Sequence, residues 1–252
     1  MSLKLFFAPG ACSFVPHVLL EMSGANFEPT MVKLHKGEQY NEEYKRINPR
    51  SQVPVLVHEG QVLTQIVAIS LYLDALFPGQ HFLPSESLAR AQALSTFAWM
   101  NNTVHPTFTH IFMPQKFSEQ AEAQASIKQH AVAQFRGMLA DLQALVAKKN
   151  EAGQPWLAGA HFGPRDAYAL TLTRWGTIAG IENHHSGNCR ITASAQRNFS
   201  CSSAMSARCL PRSNACLELS DGSKRAPGGW SRSSSASTEA FHCIAYRSDT
   251  RT

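Results

Sequence analysis

Cys12 is the residue in this sequence best suited to do chemistry. It follows Pro9-Gly10 and stands immediately before a predicted helix, so the helix dipole and the free N–H groups of the first turn can stabilise a thiolate. A thiolate exchanges with disulfides or holds another sulfur by a hydrogen bond. No second cysteine follows two or three residues on, which excludes dithiol redox chemistry of the CxxC kind. A small buried hydrophobe is the other ordinary role for a free cysteine. Pro54, after Val53, is either a strand-initiating proline or the pivot of a binding turn. His105, beside Pro106, has the chemistry of a donor or base, or of a satisfied core histidine. Asn102, one turn earlier, is a weaker second contact on that face. Gln65 and Ile66 open a helix, a natural site for a carboxylate, and Lys36 lies in a loop where most lysines are simply solvated. His184, His185 and Cys189 match no standard zinc spacing, and no metal is expected.

The elements that must position these residues are legible in the periodicity. Leu3–Phe7 reads as a strand closed by the Pro9-Gly10 turn. Val15, Val18, Leu19 and Met22 recur at helical spacing, with Pro16 tolerated in the first turn. Residues 27–34 alternate as a second strand, and Glu42–Ile47 is a short helix ended by Asn48-Pro49. Residues 53–57 and 61–63 make a hairpin around Glu59-Gly60, and Ile69, Tyr72, Leu73 and Leu76 mark a further helix. The order β-α-β-α-β-β-α ends at Phe77-Pro78-Gly79. Beyond it, Leu94, Phe97, Val104, Phe108 and Ile111 suit one face of a long helix kinked at Pro106. Ile127, Ala131, Phe135, Met138, Leu142 and Leu145 define a second long helix, broken by Gly153-Gln154-Pro155. A third starts with Pro164 at its first position. Gly163 is its cap and Asp166 the partner bonding back; glycine in place of a hydroxyl residue should cost only a few tenths of a kcal/mol.

Composition divides the chain sharply. The 252 residues carry a formal net charge of +5, a value that suggests nucleic acid or an anionic surface. Residues 1–182, however, hold 14 basic and 14 acidic side chains, and the tail holds 9 and 4, so the whole excess lies in residues 183–252. That tail also contains 15 serines, no valine, five of the six cysteines and only 7 residues of Leu, Ile or Phe. Such a composition is too poor in apolar residues to predict a packed core. An irregular Ser/Arg/Cys-rich tail is expected there, either a frameshift in the coding sequence or a genuine disordered extension. It lacks interleaved aromatics, so no nucleic-acid partner is expected. No signal peptide is visible and no apolar run reaches the ~18 residues of a membrane helix, so no membrane partner and a cytoplasmic location are expected.

Three motifs carry a family resemblance: APGACS at residues 8–13, INPRSQVPVL at 47–56 and LTQIVAI at 63–69. In this order of elements they resemble the N-terminal domain of the cytosolic glutathione transferases, and the first looks like the bacterial beta class. The resemblance spans about residues 3–181 and implies an α/β thioredoxin-like domain (1–79), an all-α helical domain (88–182) and then the anomalous tail (183–252). It implies glutathione as substrate, with Cys12 and His105 nearest its sulfur; His105 falls in TVHP at 103–106, where beta-class enzymes carry a histidine. Pro54 would be cis, turning the Val53 backbone toward the peptide backbone of glutathione, with Gln52 beside it. Lys36 would pair with the glycyl carboxylate, and Asn102 would be a further contact. Gln65 and Ile66 would grip the γ-glutamyl end. The family's usual second residue there is serine, and Ile66 lacks the hydroxyl, a loss of ~1 kcal/mol.

The resemblance therefore implies a detoxifying glutathione transferase, homodimeric, presenting the glutathione thiolate to a small hydrophobic electrophile or a disulfide. Two alternatives stay open: a glutathione-dependent thiol-disulfide reductase or peroxidase using Cys12 covalently, and a non-enzymatic binding or regulatory protein of the same fold.

Overall fold

The computed structural model describes residues 2–181. The tail from residue 183, with His184, His185 and Cys189, lies outside the described residues, as does the choice between frameshift and extension.

Alternation along β1 (Leu3–Phe7) builds the first core. Leu3, Leu5 and Phe7 point to one side of the sheet and pack with Leu19, Leu20, Leu56, Ile69, Leu73 and Phe82. Phe6 points to the other side and packs with Val32, Tyr44 and Val55. Side chains two apart share a face of a strand, so one five-residue strand serves both layers. Helices α1 (Phe14–Ser23) and α3 (Ile66–Leu76) cover the first side, and α2 (Glu42–Ile47) contributes Tyr44 to the second. The sheet has the order β2-β1-β3-β4, with β2 (Phe27–Met31) parallel to β1 and the hairpin β3 (Val55–His58) and β4 (Gln61–Thr64) antiparallel. This is the thioredoxin-like arrangement expected. β2 stops at Met31, three residues before the expected end, because Leu34–Lys36 winds into a 3-10 turn.

The helical part follows from Asp74. Its buried carboxylate accepts from the Leu83 N–H at 3.0 Å and from Arg90 Nη1 at 2.8 Å, joining α3 to α4 (Ser87–Trp99) across the linker. Glu86 caps α4, accepting from the N–H groups of Leu88 and Ala89 at 2.8 and 2.7 Å. The predicted continuous helix is interrupted: residues Met100–Val104 form a π turn before α5 (His105–Phe112). Pro106 has no N–H to donate and its ring crowds the preceding turn; the wider turn relieves both.

Helix α6 (Ala121–Glu151) buries Ala131, Phe135, Leu139, Leu142 and Val146. The expected Met138 and Leu145 are thus displaced by their C-terminal neighbours, and Leu145 is exposed. Ala131, Phe135 and Leu142 are buried as expected; at the two other turns either neighbour fits the helical period, and the docking of α6 on α5 and α7 (Pro164–Ile178) decides which is covered. At the start of α7, Asp166 accepts from the N–H groups of Gly163, Leu157 and Ala158 at 3.0, 2.7 and 3.2 Å. Gly163 has no side chain, so only the acidic half of the capping box exists.

Candidate active site

Cys12 sits in the loop between β1 and α1, and three neighbours hold that loop. Ser13, fully buried, accepts from the Ala8 N–H at 3.0 Å and donates to the Ala8 carbonyl at 3.1 Å. From α7, Trp175 Nε1 donates to the Gly10 carbonyl at 2.9 Å. The Cys12 thiol itself donates to the Val53 carbonyl, with Sγ 3.7 Å away. Amide N–H groups of Cys12 and Ser13 also point at the sulfur, as a helix start should provide. Burial outweighs them and pushes the thiol up to about 12. The expected thiolate is therefore a neutral thiol here, because the pocket that supplies the amides also removes the water.

Val53 precedes a cis Pro54. The chain enters this turn through Gln52, whose carbonyl accepts from Tyr44 Oη and Asn48 Nδ2, both at 2.8 Å, while its side chain remains exposed. The Val53 backbone is thus fixed from behind and faces the Cys12 loop. Gln65 caps α3 with φ 72° and ψ 127°, a conformation that costs a non-glycine residue of order 1–3 kcal/mol. Such outliers cluster at ligand clamps. The Gln65 side chain is exposed and makes no capping bond, so the first N–H groups of α3 keep their donors for an incoming anion. Ile66 is 4% exposed: its side chain belongs to the protein interior, and only its N–H is on offer. Lys36 is exposed on the turn Leu34–Lys36.

His105 opens α5. Its Nδ1 lies 2.6 Å from Tyr168 Oη, and its ring meets Trp175 edge-to-face at 4.7 Å. Burial holds this imidazole down to about 4, neutral at physiological pH. The Tyr168 phenol is pushed well above its ordinary value by burial and, secondarily, by the charge Cys12 would carry. Tyr168 and Trp175 lie seven residues apart, two turns along one face of α7. Together they tie His105 to the Cys12 loop. Asn101 Oδ1 lies 3.5 Å from Tyr168 Oη, and the exposed Asn102 accepts from Asn101 Nδ2 at 2.8 Å.

The structure therefore brings Cys12, Val53 and Pro54 together on one side and His105, Tyr168 and Trp175 on the other, joined through Gly10. Lys36, Gln65 and Asn102 hydrogen-bond to neither Cys12 nor His105 among the described residues. Ser13, Asn101, Tyr168 and Trp175 are the residues that sequence reasoning missed. The two-turn spacing of Tyr168 and Trp175 was the available signal, but nothing local says that this face of α7 meets a loop 165 positions away. Among the described residues no cluster of ligands could hold a metal ion, and no helix is long and apolar enough to cross a membrane.

Comparison with known proteins gives a consistent picture. Residues 1–75 match the family model for the N-terminal domain of glutathione S-transferase. Over 178 residues the chain is 32% identical to glutathione S-transferase GstA of Escherichia coli O157:H7, covering 69% of this chain and 82% of that protein. Among solved structures it is similar to a sphingomonad glutathione S-transferase complexed with glutathione, with TM-score 0.61 and 30% identity over 77% of this chain and 92% of that one. A bacterial beta-class glutathione S-transferase of Sphingomonas chungbukensis gives TM-score 0.63 and 28% identity, with the same coverage of 77% and 92%.

Proposed function

Because the chain belongs to the glutathione S-transferase family, we propose that it binds glutathione against the thioredoxin-like domain and transfers its thiolate to a small hydrophobic electrophile or disulfide. The observation that carries this reading is the Val53–Pro54 turn, braced by Tyr44 and Asn48 through the Gln52 carbonyl, with the Cys12 thiol on the Val53 carbonyl. An extended peptide backbone laid along Val53 pairs with its main-chain groups, which brings a cysteinyl sulfur beside Cys12. Gln52 flanks that backbone. The uncapped start of α3, at Gln65 and Ile66, takes the γ-glutamyl carboxylate, and the exposed Lys36 takes the glycyl one. His105 and, more peripherally, Asn102 complete the sulfur's surroundings.

Cys12 acts in this scheme as a neutral donor. Its thiol, held up by burial, passes its hydrogen bond from Val53 to the glutathione thiolate, which stabilises the nucleophile without a covalent step. A serine at this position keeps a donor. We expect Cys12→Ser to retain conjugation of a chromogenic aryl halide within about tenfold. Abolition of activity with glutathione binding intact would favour the covalent reductase or peroxidase mechanism instead.

A beta-like class is supported by APGACS at residues 8–13 and by the Sphingomonas neighbour. Detoxification, a cytoplasmic location and a homodimer rest on the family resemblance, and sedimentation velocity on the full chain tests the last. The break in composition near residue 183 supports a frameshifted tail; translating the other two frames of the gene and finding no helical sequence would sink it.

A further inference from the structure

Tyr168 has one hydroxyl proton and two neighbours that can accept it. Its oxygen lies 2.6 Å from His105 Nδ1 and 3.5 Å from Asn101 Oδ1. A neutral imidazole carries one N–H, and the partner of one nitrogen decides which nitrogen keeps the proton. Two arrangements are therefore possible. In the first, the phenol donates to Nδ1 and the imidazole proton sits on Nε2. In the second, Nδ1–H donates to the phenol oxygen and the phenol proton must turn to Asn101.

The distances separate them. At 3.5 Å the Asn101 contact is at the outer limit of a hydrogen bond, whereas 2.6 Å is a short, strong one. The second arrangement leaves the proton of a fully buried phenol nearly unsatisfied; the first satisfies it. The Asn101 amide is held with Nδ2 donating to Asn102 at 2.8 Å, so the acceptor it offers the phenol is Oδ1, and that oxygen stays at 3.5 Å. The Trp175 ring packs edge-to-face on His105, centroids 4.7 Å apart, and restrains the imidazole against rotation. Burial leaves both groups uncharged, so the assignment holds around neutral pH.

We infer that Tyr168 is a positioning residue: it donates to His105 Nδ1, locks the imidazole as the Nε2–H tautomer, and makes His105 a hydrogen-bond donor to sulfur, not a general base. The donor role toward sulfur rests on the glutathione site proposed above; the tautomer does not. An Nε2 that already carries a proton can stabilise the glutathione thiolate but cannot accept its proton, which leaves to solvent water.

Long-range proton–nitrogen correlation on the ligand-free full chain, labelled with 15N-histidine, reads the tautomer directly. The His105 signals are assigned by their disappearance in His105→Gln. We expect protonated Nε2 and bare Nδ1 near pH 7, with a tautomer mixture in Tyr168→Phe. A dominant Nδ1–H form in the wild-type chain overturns the inference, and that spectrum needs no variant of Tyr168 to fold. In kinetics, the effect of Tyr168→Phe is compared in the wild-type chain and in His105→Gln, where no imidazole is left to position. Tyr168→Phe should lower kcat/KM about fivefold in the wild-type background and leave His105→Gln unchanged. An equal loss in both backgrounds would mean that Tyr168 only packs, and overturns the positioning role. If glutathione fails to bind the wild-type chain, the proposed function falls while the tautomer result still stands on its own.

Discussion

At Cys12 two effects of opposite sign meet. The N–H groups of Cys12 and Ser13 aim at the sulfur and favour a thiolate, while burial removes the water that a charge needs, and burial wins. The residue that looked like a nucleophile by position is thereby a donor by environment. Native, ligand-free protein treated with iodoacetamide near pH 7 should leave Cys12 unmodified in peptide mass mapping, and denatured protein should not. Rapid native alkylation at Cys12 would contradict the burial argument. The place of Cys12 just before a helix was within reach of the sequence, because Pro9-Gly10 ahead of an apolar helical period is a local pattern. Its protonation state was not, because the desolvation comes from the whole pocket around it. Ile66 repeats the lesson: its missing hydroxyl was legible, but its 4% exposure, which commits the side chain to the interior, was not.

At the scale of elements, α7 does the joining. Its N-terminus is held by Asp166, its Tyr168 fixes His105, and its Trp175 holds the Cys12 loop through Gly10. Pro164 and Asp166 gave that start away in the sequence. The cost of Gly163 did not follow the same logic. A Cβ there would meet the Phe82 carbonyl at 2.8 Å and Ala158 Cβ at 3.1 Å, so the glycine is a clearance requirement and not a degraded cap. Gly163→Ser, which restores the capping hydroxyl on paper, should therefore lower stability by about 1 kcal/mol or more in urea unfolding. A stabilised variant would show that the linker segment at Phe82 yields freely. The burial of Leu139 and Val146 in place of Met138 and Leu145 escaped sequence reasoning. Periodicity gives the existence of an apolar stripe, whereas the neighbouring helices decide which side of it is buried. The short helix Glu42–Ile47 was legible to the residue, because Asn48-Pro49 ends it whatever packs around it.

Over the whole molecule, charge and ionisation set the conditions of use. Residues 1–182 are neutral overall, and the +5 belongs to the tail. His105, held down to about 4, binds no proton in the native state where the unfolded chain already does. Its contribution to stability is thus unaffected above about pH 6.5 and is lost as pH falls from there toward 4. Asp166, raised to about 6, works the other way in part of the same window, since the native state then holds the extra proton. Comparing urea unfolding of the wild type with His105→Gln isolates the histidine: the variant should lose less stability between pH 6.5 and 4. Parallel curves would mean that His105 is not buried as described. The proposed function requires glutathione to bind along Val53 and the start of α3, beside Cys12. Isothermal titration of the full chain with reduced glutathione, carried to about 10 mM, tests this most directly. One saturable site per chain, weakened when Gln65 is replaced by alanine, is the predicted result; the absence of any saturable binding would contradict it.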